Sequence, residues 1–590
     1  MKNISKIGMA VVAGCMFAAT SCSDYSDYNT VPEDAMLSAN KTLWENISES
    51  ENLQDFAAII AKAGYTQNFS APQYYTVWAP VDGTYDAQAI LAKDSATIVK
   101  EFIGQHMATY SHVIFGEVNK RIVSLNDKHH VFTNEAYDGI TIKTPNVATT
   151  NGVMHLLNGQ SEYHPNLYEE IDNLKDCESF KAYIQKYDEY YLDVNNSVVG
   201  PMVDGKQTYL DSVFKKRNVI INNILNVQLE NEDSSYTMLY PNDRAWELAY
   251  ENISKTLNYY SGKLYYMDMD KNTTAAAACN ATTAKCETPV NIDAAFYKDS
   301  LTKRAIVENL VFSNTYERNK PIWSGQLSSG KPDTLYTSTH SYITNIEDIY
   351  SHTVGDVKSN SNGYSRVMDS LCFYPWQTYE PVKKYLKPVR YFNLASGKKY
   401  TENNIIKSTL AGRESLFEDV PAFIKRWILP ETSEFFTYVS IDRENFLSTS
   451  SKVEFDFALE DALSTKYHIF VVTVPAQVKD PEAPLLPTHL RFDLSYTDAT
   501  GTQKFQRLNV EGAKLTDDII TTPGKLSVIE FEFEFPISYY KLDAYPTLLM
   551  SHTKAFTTSV NRNKYDQELR VAGVFLVPET AYNYFKNITE

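Results

Sequence analysis

The sequence predicts an α+β protein in which two α/β domains are followed by a C-terminal antiparallel β-sandwich. Two observations carry this prediction. A pattern of helix, apolar strand, second helix and a strand begun by Asn-Gly occurs twice before residue 386. Beyond that point apolar and charged residues alternate instead, as at Phe531, Phe533 and Phe535 with glutamates between them. This period of two is typical of strands with one buried and one exposed face.

Residues 1–21 form a predicted export signal, because two lysines precede an apolar stretch that ends at Ala19. The stretch is too short for a bilayer, which needs about 20 apolar residues. Its end, Ala19-Thr20-Ser21-Cys22, resembles a bacterial lipobox, which implies acylation of Cys22 as the mature N-terminus. The alternative is an ordinary signal peptide followed by a chance cysteine. Residues 22–37 form a small acidic tether similar to the export signals of Bacteroides-type surface lipoproteins, which implies a lipid anchor on the extracellular side of the outer membrane.

The charge balance excludes one class of partner. The chain has 55 Lys+Arg against 73 Asp+Glu, a formal net charge of −18. Nucleic-acid binding depends on basic patches, so no nucleic-acid partner is expected. The 42 tyrosines are expected mainly in strands and cores, with wet recognition surfaces as the alternative.

Residues 38–160 carry the first copy of the repeated pattern. Ser48 and Glu51 have capping-box spacing ahead of a helix that Gly64 closes. The elements predicted after it are the strand Tyr74–Trp78, a helix with Ile98, Phe102 and His106 on one face, the strand Val113–Phe115, and a turn and strand over Asn151–Leu157.

Residues 165–385 repeat this order with a long insertion. Ser179 is the predicted N-cap of the first helix, and Asn309 stands where the first copy has His106. The segments that correspond to the signature strands are Tyr236–Trp246 and Asn362–Asp369. Residues 386–590 show no third copy and form the predicted β-sandwich.

These segments resemble a known family. Thr76–Tyr85 and Asn151–Leu157 are similar to the two signatures of the fasciclin domain, and the helix with His106 is similar to the histidine segment between them. The second copy resembles a divergent, expanded fasciclin domain. The resemblance implies adhesion or extracellular binding without a common catalytic centre. Because Gln105 precedes His106, the Tyr-His motif that animal members use for receptor binding is absent, and integrin binding is not expected.

Fasciclin lipoproteins with such an export signature also resemble accessory proteins of SusC/SusD-type nutrient importers. The expected partners are therefore the membrane, through the N-terminal lipid, and an outer-membrane importer or other surface protein, with a glycan or peptide as a further ligand. The expected role is binding, assembly or adhesion.

The insertion of the second copy holds the candidate binding residues. Cys279 and Cys286 flank a small polar loop, where a local disulfide is predicted for an exported protein. The candidate partner-binding aromatics are Tyr259, Tyr260, Tyr265, Tyr266 and Trp323, since aromatic residues on irregular segments are frequent anchors. The alternative is that they only pack the insertion against its domain. The partner could equally contact the sandwich.

No catalytic, cofactor-binding or metal-ligating residues are predicted. The sequence lacks nucleophile elbows, HExxH, P-loops and GxGxxG. His106 and His155 are expected to hold backbone carbonyl groups in the core, and His129-His130 is expected to be solvated. The chain is therefore predicted not to be an enzyme. The rival hypothesis is a glycan- or peptide-degrading hydrolase whose site lies in the sandwich of residues 386–590.

The lipid anchor can be tested by Cys22→Ala. We expect the variant to be released from membranes or to stall in processing, because each buried methylene of an acyl chain contributes about 0.8 kcal/mol to anchoring. Fractionation followed by immunoblotting measures the outcome. Membrane retention equal to that of the wild type would refute the anchor at Cys22.

Overall fold

A computed structural model shows a mixed α and β protein with several separate sheets. The residues that it describes are 40–192, 194, 198–211, 214–267, 279–280, 285–288, 290–316, 334–388, 390–392, 405–409, 414–428, 435–441, 454–554 and 559–589. They form two compact units. The first contains the residues up to Leu174 together with Gln228–Tyr236 and Lys358–Ser365, and the second contains the remainder. The division into residues 38–160, 165–385 and 386–590 stays a prediction.

The first unit is built on a seven-stranded sheet with the strand order β2-β1-β7-β6-β5-β4-β3. Its strands are β1 (Tyr75–Pro80), β2 (Met107–Thr109), β3 (Asn119–Val123), β4 (His129–Thr133), β5 (Ala136–Tyr137), β6 (Ile140–Thr149) and β7 (Gly152–Leu157). Its helices are α1 (Leu43–Glu49), α2 (Gln54–Lys62), α3 (Thr66–Ser70), α4 (Ala87–Leu91), α5 (Ser95–Ile98), the π-turn Val99–Ile103, the 3-10 turn Gly104–His106, and α6 (Glu170–Asn173).

The capping box predicted at Ser48 and Glu51 is wrong, although the helix predicted after it is present as α2. Ser48 and Glu51 form no capping box, which belongs instead to Thr42 and Glu45 at the start of α1. Helix α2 is capped across the fold, since the carboxylate of Asp82 accepts from the first amides of the helix. A side chain 28 residues away in sequence therefore replaces the local cap.

The two signature segments of the first copy lie side by side in the sheet. Strands β1 and β7 run parallel, with Thr76 opposite Val153. At the start of β7 the buried Asn151 side chain bonds three backbone groups. Its Oδ1 accepts from Leu43 N at 2.8 Å, and its Nδ2 donates to the carbonyls of Phe69 and Ala71 at 2.9 and 2.7 Å. The side chain is thus satisfied without water, and it fixes α1 and the end of α3 to the strand.

The two signature histidines are structural, as predicted. His106 donates from Nδ1 to Phe102 O at 2.8 Å and accepts at Nε2 from Ser161 N at 2.9 Å. His155 bonds the carbonyl of His112 at 2.8 Å. Both rings are fully buried.

Two local predictions for this unit are wrong. The strand expected at Val113–Phe115 is not formed; the chain pairs earlier, as β2, and Phe115 is exposed. His130 is buried rather than solvated. Its Nε2 lies 3.0 Å from Ser124 Oγ, and its Nδ1 lies 3.3 Å from the carboxylate of Asp138. Because Nε2 has a polar partner and Nδ1 faces a carboxylate, burial does not require an apolar side chain there.

The second copy contains the strands β8 (Asp188–Leu192), β9 (Val198–Val203), β10 (Lys206–Asp211), β11 (Phe214–Asn218), β12 (Tyr236–Pro241), β13 (Tyr265–Met267), β14 (Cys279–Asn280), β15 (Lys285–Glu287), β16 (Val311–Ser313), β17 (Leu335–Tyr336), β18 (Tyr342–Ile343), β19 (Thr353–Asn360) and β20 (Gly363–Met368). Its helices are α7 (Glu178–Gln185), α8 (Asp243–Ser254), α9 (Ala294–Val307) and α10 (Ile346–Ser351).

The internal repeat is visible in the sheet order. The strands β16-β12-β20-β19 correspond one by one to β2-β1-β7-β6. Asn362 reproduces the bonds of Asn151: its Oδ1 accepts from Leu167 N, and its Nδ2 donates to the carbonyls of Leu229 and Asn231. The prediction of Ser179 as an N-cap is wrong, because it lies within α7 and its N–H donates to the carboxylate of Asp243.

Residues 383–578 form two six-stranded sheets, whose first strand lies inside the range predicted for the second copy. One has the order β23-β24-β32-β26-β30 with β21 beside β32, and the other has the order β22-β25-β31-β27-β28 with β29 beside β27. The strands are β21 (Lys383–Tyr385), β22 (Arg390–Phe392), β23 (Ile405–Thr409), β24 (Phe435–Ile441), β25 (Glu454–Ala458), β26 (Lys466–Thr473), β27 (His489–Thr497), β28 (Gln503–Leu508), β29 (Ile519–Ile520), β30 (Ser527–Glu534), β31 (Thr547–His552) and β32 (Leu569–Pro578). The helices are α11 (Ala422–Ile428), α12 (Ser559–Lys564) and α13 (Glu579–Thr589).

The two sheets face each other across an aromatic and aliphatic core. Phe492 of β27 and Phe531 of β30 meet with ring centroids 5.0 Å apart. All strand pairs in these sheets are antiparallel, and the period-two pattern of β30 buries Phe531 and Phe533 as predicted. The other face of the β26 and β32 sheet is covered by α11 and α13, which bury Phe470 and Phe575.

No helix among the described residues is both long enough and apolar enough to cross a membrane.

The buried histidines predict a loss of stability on acidification. Burial lowers the pKa of His106 and of His155 to about 4 from an ordinary 6.5. Between pH 4 and 6.5 the unfolded chain therefore binds more protons than the folded chain. The contribution of the two histidines to the free energy of unfolding is fully present above pH 6.5 and falls as the pH drops toward 4. We expect a loss on the order of 1–2 kcal/mol per histidine between pH 6.5 and 5, measured by thermal melts across that range.

The matched variants are His106→Gln and His340→Asn, since His340 is exposed. His106→Gln should have a lower melting temperature at pH 7.5. Its melting temperature should also depend less steeply on pH, because one titrating group is gone. The second should keep the wild-type slope. An unchanged slope for His106→Gln would contradict the assignment of this histidine.

Candidate functional site

The candidate site is a cleft in the second unit lined by aromatic side chains. Its volume is about 430 Å³, within the range of about 300–1,000 Å³ that small-ligand sites occupy. Its aromatic residues come from β18, from the 3-10 turn Pro375–Gln377, from α11, from β32 and from α13. We call it the aromatic cleft and define it by Tyr342, Trp376, Trp427, Phe575 and Phe585.

The rings form one continuous wall. Phe585 lies at its centre, with its ring centroid 4.8 Å from that of Trp376 and 5.5 Å from that of Trp427. Trp427 stacks on Phe575 at 6.0 Å, and Tyr342 meets Trp376 edge-on at 6.0 Å. Because each ring is held by another, the wall is rigid before any ligand arrives, which reduces the entropy lost on binding.

Exposure differs along the wall. Phe575 and Phe585 are buried, and Trp376 is 6% exposed. Trp427 is half-buried, and Tyr342 is 44% exposed. The inner rings therefore form a base, whereas Tyr342 and Trp427 offer ring surface to a ligand. A partly exposed aromatic held on a rigid base is the usual form of a binding anchor.

Polar groups stand at the rim of the aromatic cleft. Lys384 donates from Nζ to the carbonyl of Trp427 at 3.3 Å and lies 5.5 Å from the ring centroid of Phe575. His340 and Ser341 also line the rim. The buried Gln377 is less available, because its amide bonds the backbone and hydroxyl of Thr344. The cleft thus combines flat apolar surface with a few peripheral hydrogen-bonding groups.

The lining of the aromatic cleft contains no Asp or Glu among the described residues. Glycoside hydrolysis in most families requires two carboxyl groups about 5–9.5 Å apart. Likewise, no group of three or more His, Cys, Asp or Glu within the described part of the chain could hold a metal ion.

Two of the candidates from sequence pack against other residues. Tyr259 is buried, and its hydroxyl donates to Tyr540 O at 3.2 Å. The ring of Tyr260 packs against Gly501, where a Cβ would collide with it. Tyr540 and Gly501 lie in turns of the region that follows the second copy. Partner binding by Tyr259 and Tyr260 stays a prediction.

Of the remaining candidates, one is exposed and the others lie outside the described residues. Tyr265 is 41% exposed at the start of β13. The side chain of Tyr266, the whole of Trp323 and the predicted lipid attachment site Cys22 lie outside the described residues. The aromatic cleft brings none of these candidates together.

The predicted disulfide is compatible with the backbone. Cys279 and Cys286 are directly opposite each other in the antiparallel pair β14 and β15. Opposed residues in such a pair have Cα atoms about 4.5–5.5 Å apart, a distance that a disulfide spans. Their side chains lie outside the described part, so the bond stays a prediction.

Sequence reasoning missed the aromatic cleft. Its residues are scattered over more than 240 positions, from Tyr342 to Phe585, and no local pattern connects them. One signal was present: Tyr374-Pro375-Trp376 follows the last signature strand, and an aromatic pair around a proline in a connecting segment favours a fixed, surface-facing turn.

No family model and no curated protein sequence matches the chain. Similar solved structures include a FAS1 domain pair from the insect cell adhesion molecule fasciclin I, with 13% identity over 55% of this chain and 98% of that chain and a TM-score of 0.19. A CBM22-1 xylan-binding domain from Paenibacillus barcinonensis has 10% identity over 33% of this chain and 96% of that chain, with a TM-score of 0.17. A Stig cyclase from Fischerella has 14% identity over 33% of this chain and 89% of that chain, with a TM-score of 0.19. TM-scores this far below 0.5 assign no function to the chain.

Proposed function

We propose that this protein is a non-catalytic surface lipoprotein that binds a glycan chain in the aromatic cleft. The observation that carries the proposal is the wall of five aromatic rings with Tyr342 and Trp427 partly exposed. Sugar rings have one apolar C–H face and a hydroxyl edge. The aromatic surface matches the apolar face, and Lys384, His340 and Ser341 match the hydroxyls at the edge.

The absence of carboxylates from the described lining supports binding over the rival hydrolase. The same feature argues against a cationic ligand in this cleft, since no described acidic group there would compensate its charge. A neutral ligand is favoured, because Lys384 already lies over an aromatic ring and bonds a carbonyl.

The cellular setting of the proposal comes from the sequence. The lipobox at Cys22 and the acidic tether support an anchor on the outer face of the outer membrane. The fasciclin resemblance supports a role beside a SusC/SusD-type importer, where a glycan held by this protein would be close to the transport machinery. Adhesion to a glycan-covered surface is the other use of the same cleft.

The matched pair Tyr342→Ala and Tyr265→Ala tests the location of the site. The two tyrosines are almost equally exposed, at 44% and 41%, but only Tyr342 lines the cleft. We expect Tyr342→Ala to weaken glycan affinity at least about tenfold, as loss of an aromatic anchor typically does, and Tyr265→Ala to leave it unchanged. Affinity electrophoresis against a panel of soluble polysaccharides measures both.

The reverse result, a loss only with Tyr265→Ala, would move the site to the insertion, where sequence alone placed it. If no polysaccharide slows the wild-type protein, glycan binding is wrong. Release of reducing sugar by the wild type would favour the hydrolase instead.

A further inference from the structure

The aromatic wall continues beyond the aromatic cleft. Trp376 lines the cleft, and two further rings that do not line it, those of Tyr374 and Tyr584, lie beside it. The ring centroid of Trp376 is 5.9 Å from that of Tyr374 and 4.9 Å from that of Tyr584. The two tyrosine rings are 5.1 Å apart, and both residues are half-buried. We call this pair the tyrosine ledge, which extends the flat apolar surface past the lining of the cleft.

The backbone and a stacked ring hold Tyr374 in place. Tyr374 is the N-cap of the 3-10 turn Pro375–Gln377, and the proline after it favours the extended conformation that it adopts, with φ −64° and ψ 126°. Its carbonyl accepts from Gln377 N at 3.0 Å and from Thr378 Oγ1 at 3.2 Å. Its ring stacks on that of Trp376, with the two planes 12° apart. The ring is therefore fixed before a ligand arrives, which reduces the entropy lost on binding.

Tyr584 comes from a distant part of the chain. It lies on α13 (Glu579–Thr589) beside Phe585, whose buried ring it meets edge-on with centroids 5.3 Å apart. Tyr582 of the same helix is also half-buried, but its ring stacks on His468 of β26 with centroids 3.6 Å apart. Tyr584 therefore belongs to the ledge, whereas Tyr582 packs the helix on its sheet.

Polar groups accompany the rings of the tyrosine ledge. Burial raises the pKa of Tyr374, and the nearby Tyr584 and Asp348 raise it further. The Tyr374 hydroxyl therefore stays protonated at neutral pH and can both donate and accept a hydrogen bond. Asp348 is exposed, and its carboxylate accepts hydrogen bonds but repels anions. Because sugar hydroxyls can donate, the ledge suits a neutral sugar.

We propose that the tyrosine ledge is a second sugar-binding subsite, so that the protein prefers a linear, neutral glycan long enough to cover both the cleft and the ledge. The proposal rests on glycan binding in the aromatic cleft. A ligand confined to the cleft does not reach Tyr374 or Tyr584, whereas a longer chain stacks on both surfaces. Affinity then rises with chain length, because a sugar held in the cleft presents the next ones to the ledge at a high effective concentration.

Calorimetric titration of the full chain with an oligosaccharide ladder tests the proposal. The probes are chains of two to six sugars, made by partial hydrolysis of the polysaccharide that retards the wild type most in affinity electrophoresis. We expect the affinity of the wild type to rise at least about tenfold along the ladder, the effect of one aromatic anchor. Tyr584→Leu keeps apolar volume but loses the flat ring. It should abolish this rise and leave the affinity for the shortest binding chain unchanged.

Two controls separate the ring from the hydroxyl and from the fold. Tyr584→Phe retains the ring and should keep the dependence on chain length. Tyr582→Leu changes a tyrosine of the same helix away from the ledge, and it should bind every chain as the wild type does. Melting temperatures show whether each variant is folded. If Tyr584→Leu is not, Tyr374→Leu carries the same expectation.

The outcomes distinguish the ledge from the cleft. If no polysaccharide binds the wild type, both proposals are wrong. If the affinity of the wild type does not depend on chain length, or Tyr584→Leu keeps the rise, or Tyr584→Phe loses it, the ledge is not a subsite although the cleft still binds sugar. An equal loss for all chains with Tyr584→Leu would place Tyr584 in the first subsite and overturn the second. Tightest binding of an acidic polysaccharide would also contradict the ledge, since Asp348 would repel it.

Discussion

The bonding of one buried asparagine side chain sets the geometry of each repeat. The Asn of the Asn-Gly pair uses its carbonyl oxygen and both amide hydrogens on backbone groups, at Asn151 and again at Asn362. Three bonds made by one rigid amide fix three chain segments at once, and no other side chain of this size offers an acceptor and two donors. The following glycine is required as well, because a Cβ at Gly152 would collide with Tyr75 O in the neighbouring strand. The strand that follows therefore begins at the glycine of this pair in both copies, at Gly152 in β7 and at Gly363 in β20.

Once this constraint is met, the repeats can differ elsewhere. The first copy encloses a core in which Trp78 stacks on Tyr137 with centroids 4.2 Å apart, and its histidines complete the backbone bonds. The second copy replaces His106 by Asn309, whose oxygen has no partner in the described part of the chain.

The segment between the last signature strand and the sandwich lines the aromatic cleft. Residues 376–384 contribute most of the polar and apolar lining between the rings of the aromatic cleft, and Trp376 packs against Phe585 of α13. The helices α11 and α13 cover a sheet face that would otherwise be a large exposed apolar surface. Their aromatic residues thus serve two purposes: they complete the core and form the wall of a cleft. Such a site belongs to the arrangement of several elements rather than to any one of them.

The sequence by itself determined the features that depend on neighbouring residues. The period-two strands and the two Asn-Gly strand starts follow from local pattern, since alternation and turn chemistry act over a few residues. The structural role of His106 was expected from the fasciclin resemblance, and it depends on Ser161, 55 residues away. The tertiary structure decided the features that depend on residues far apart in the sequence. It replaced the cap at Ser48 by Asp82, buried His130 against Asp138, packed Tyr259 and Tyr260 against distant turns, and assembled a cleft from Tyr342, Trp427 and Phe585. These outcomes rest on side chains that meet only after the sheets have formed, and local sequence does not encode such meetings.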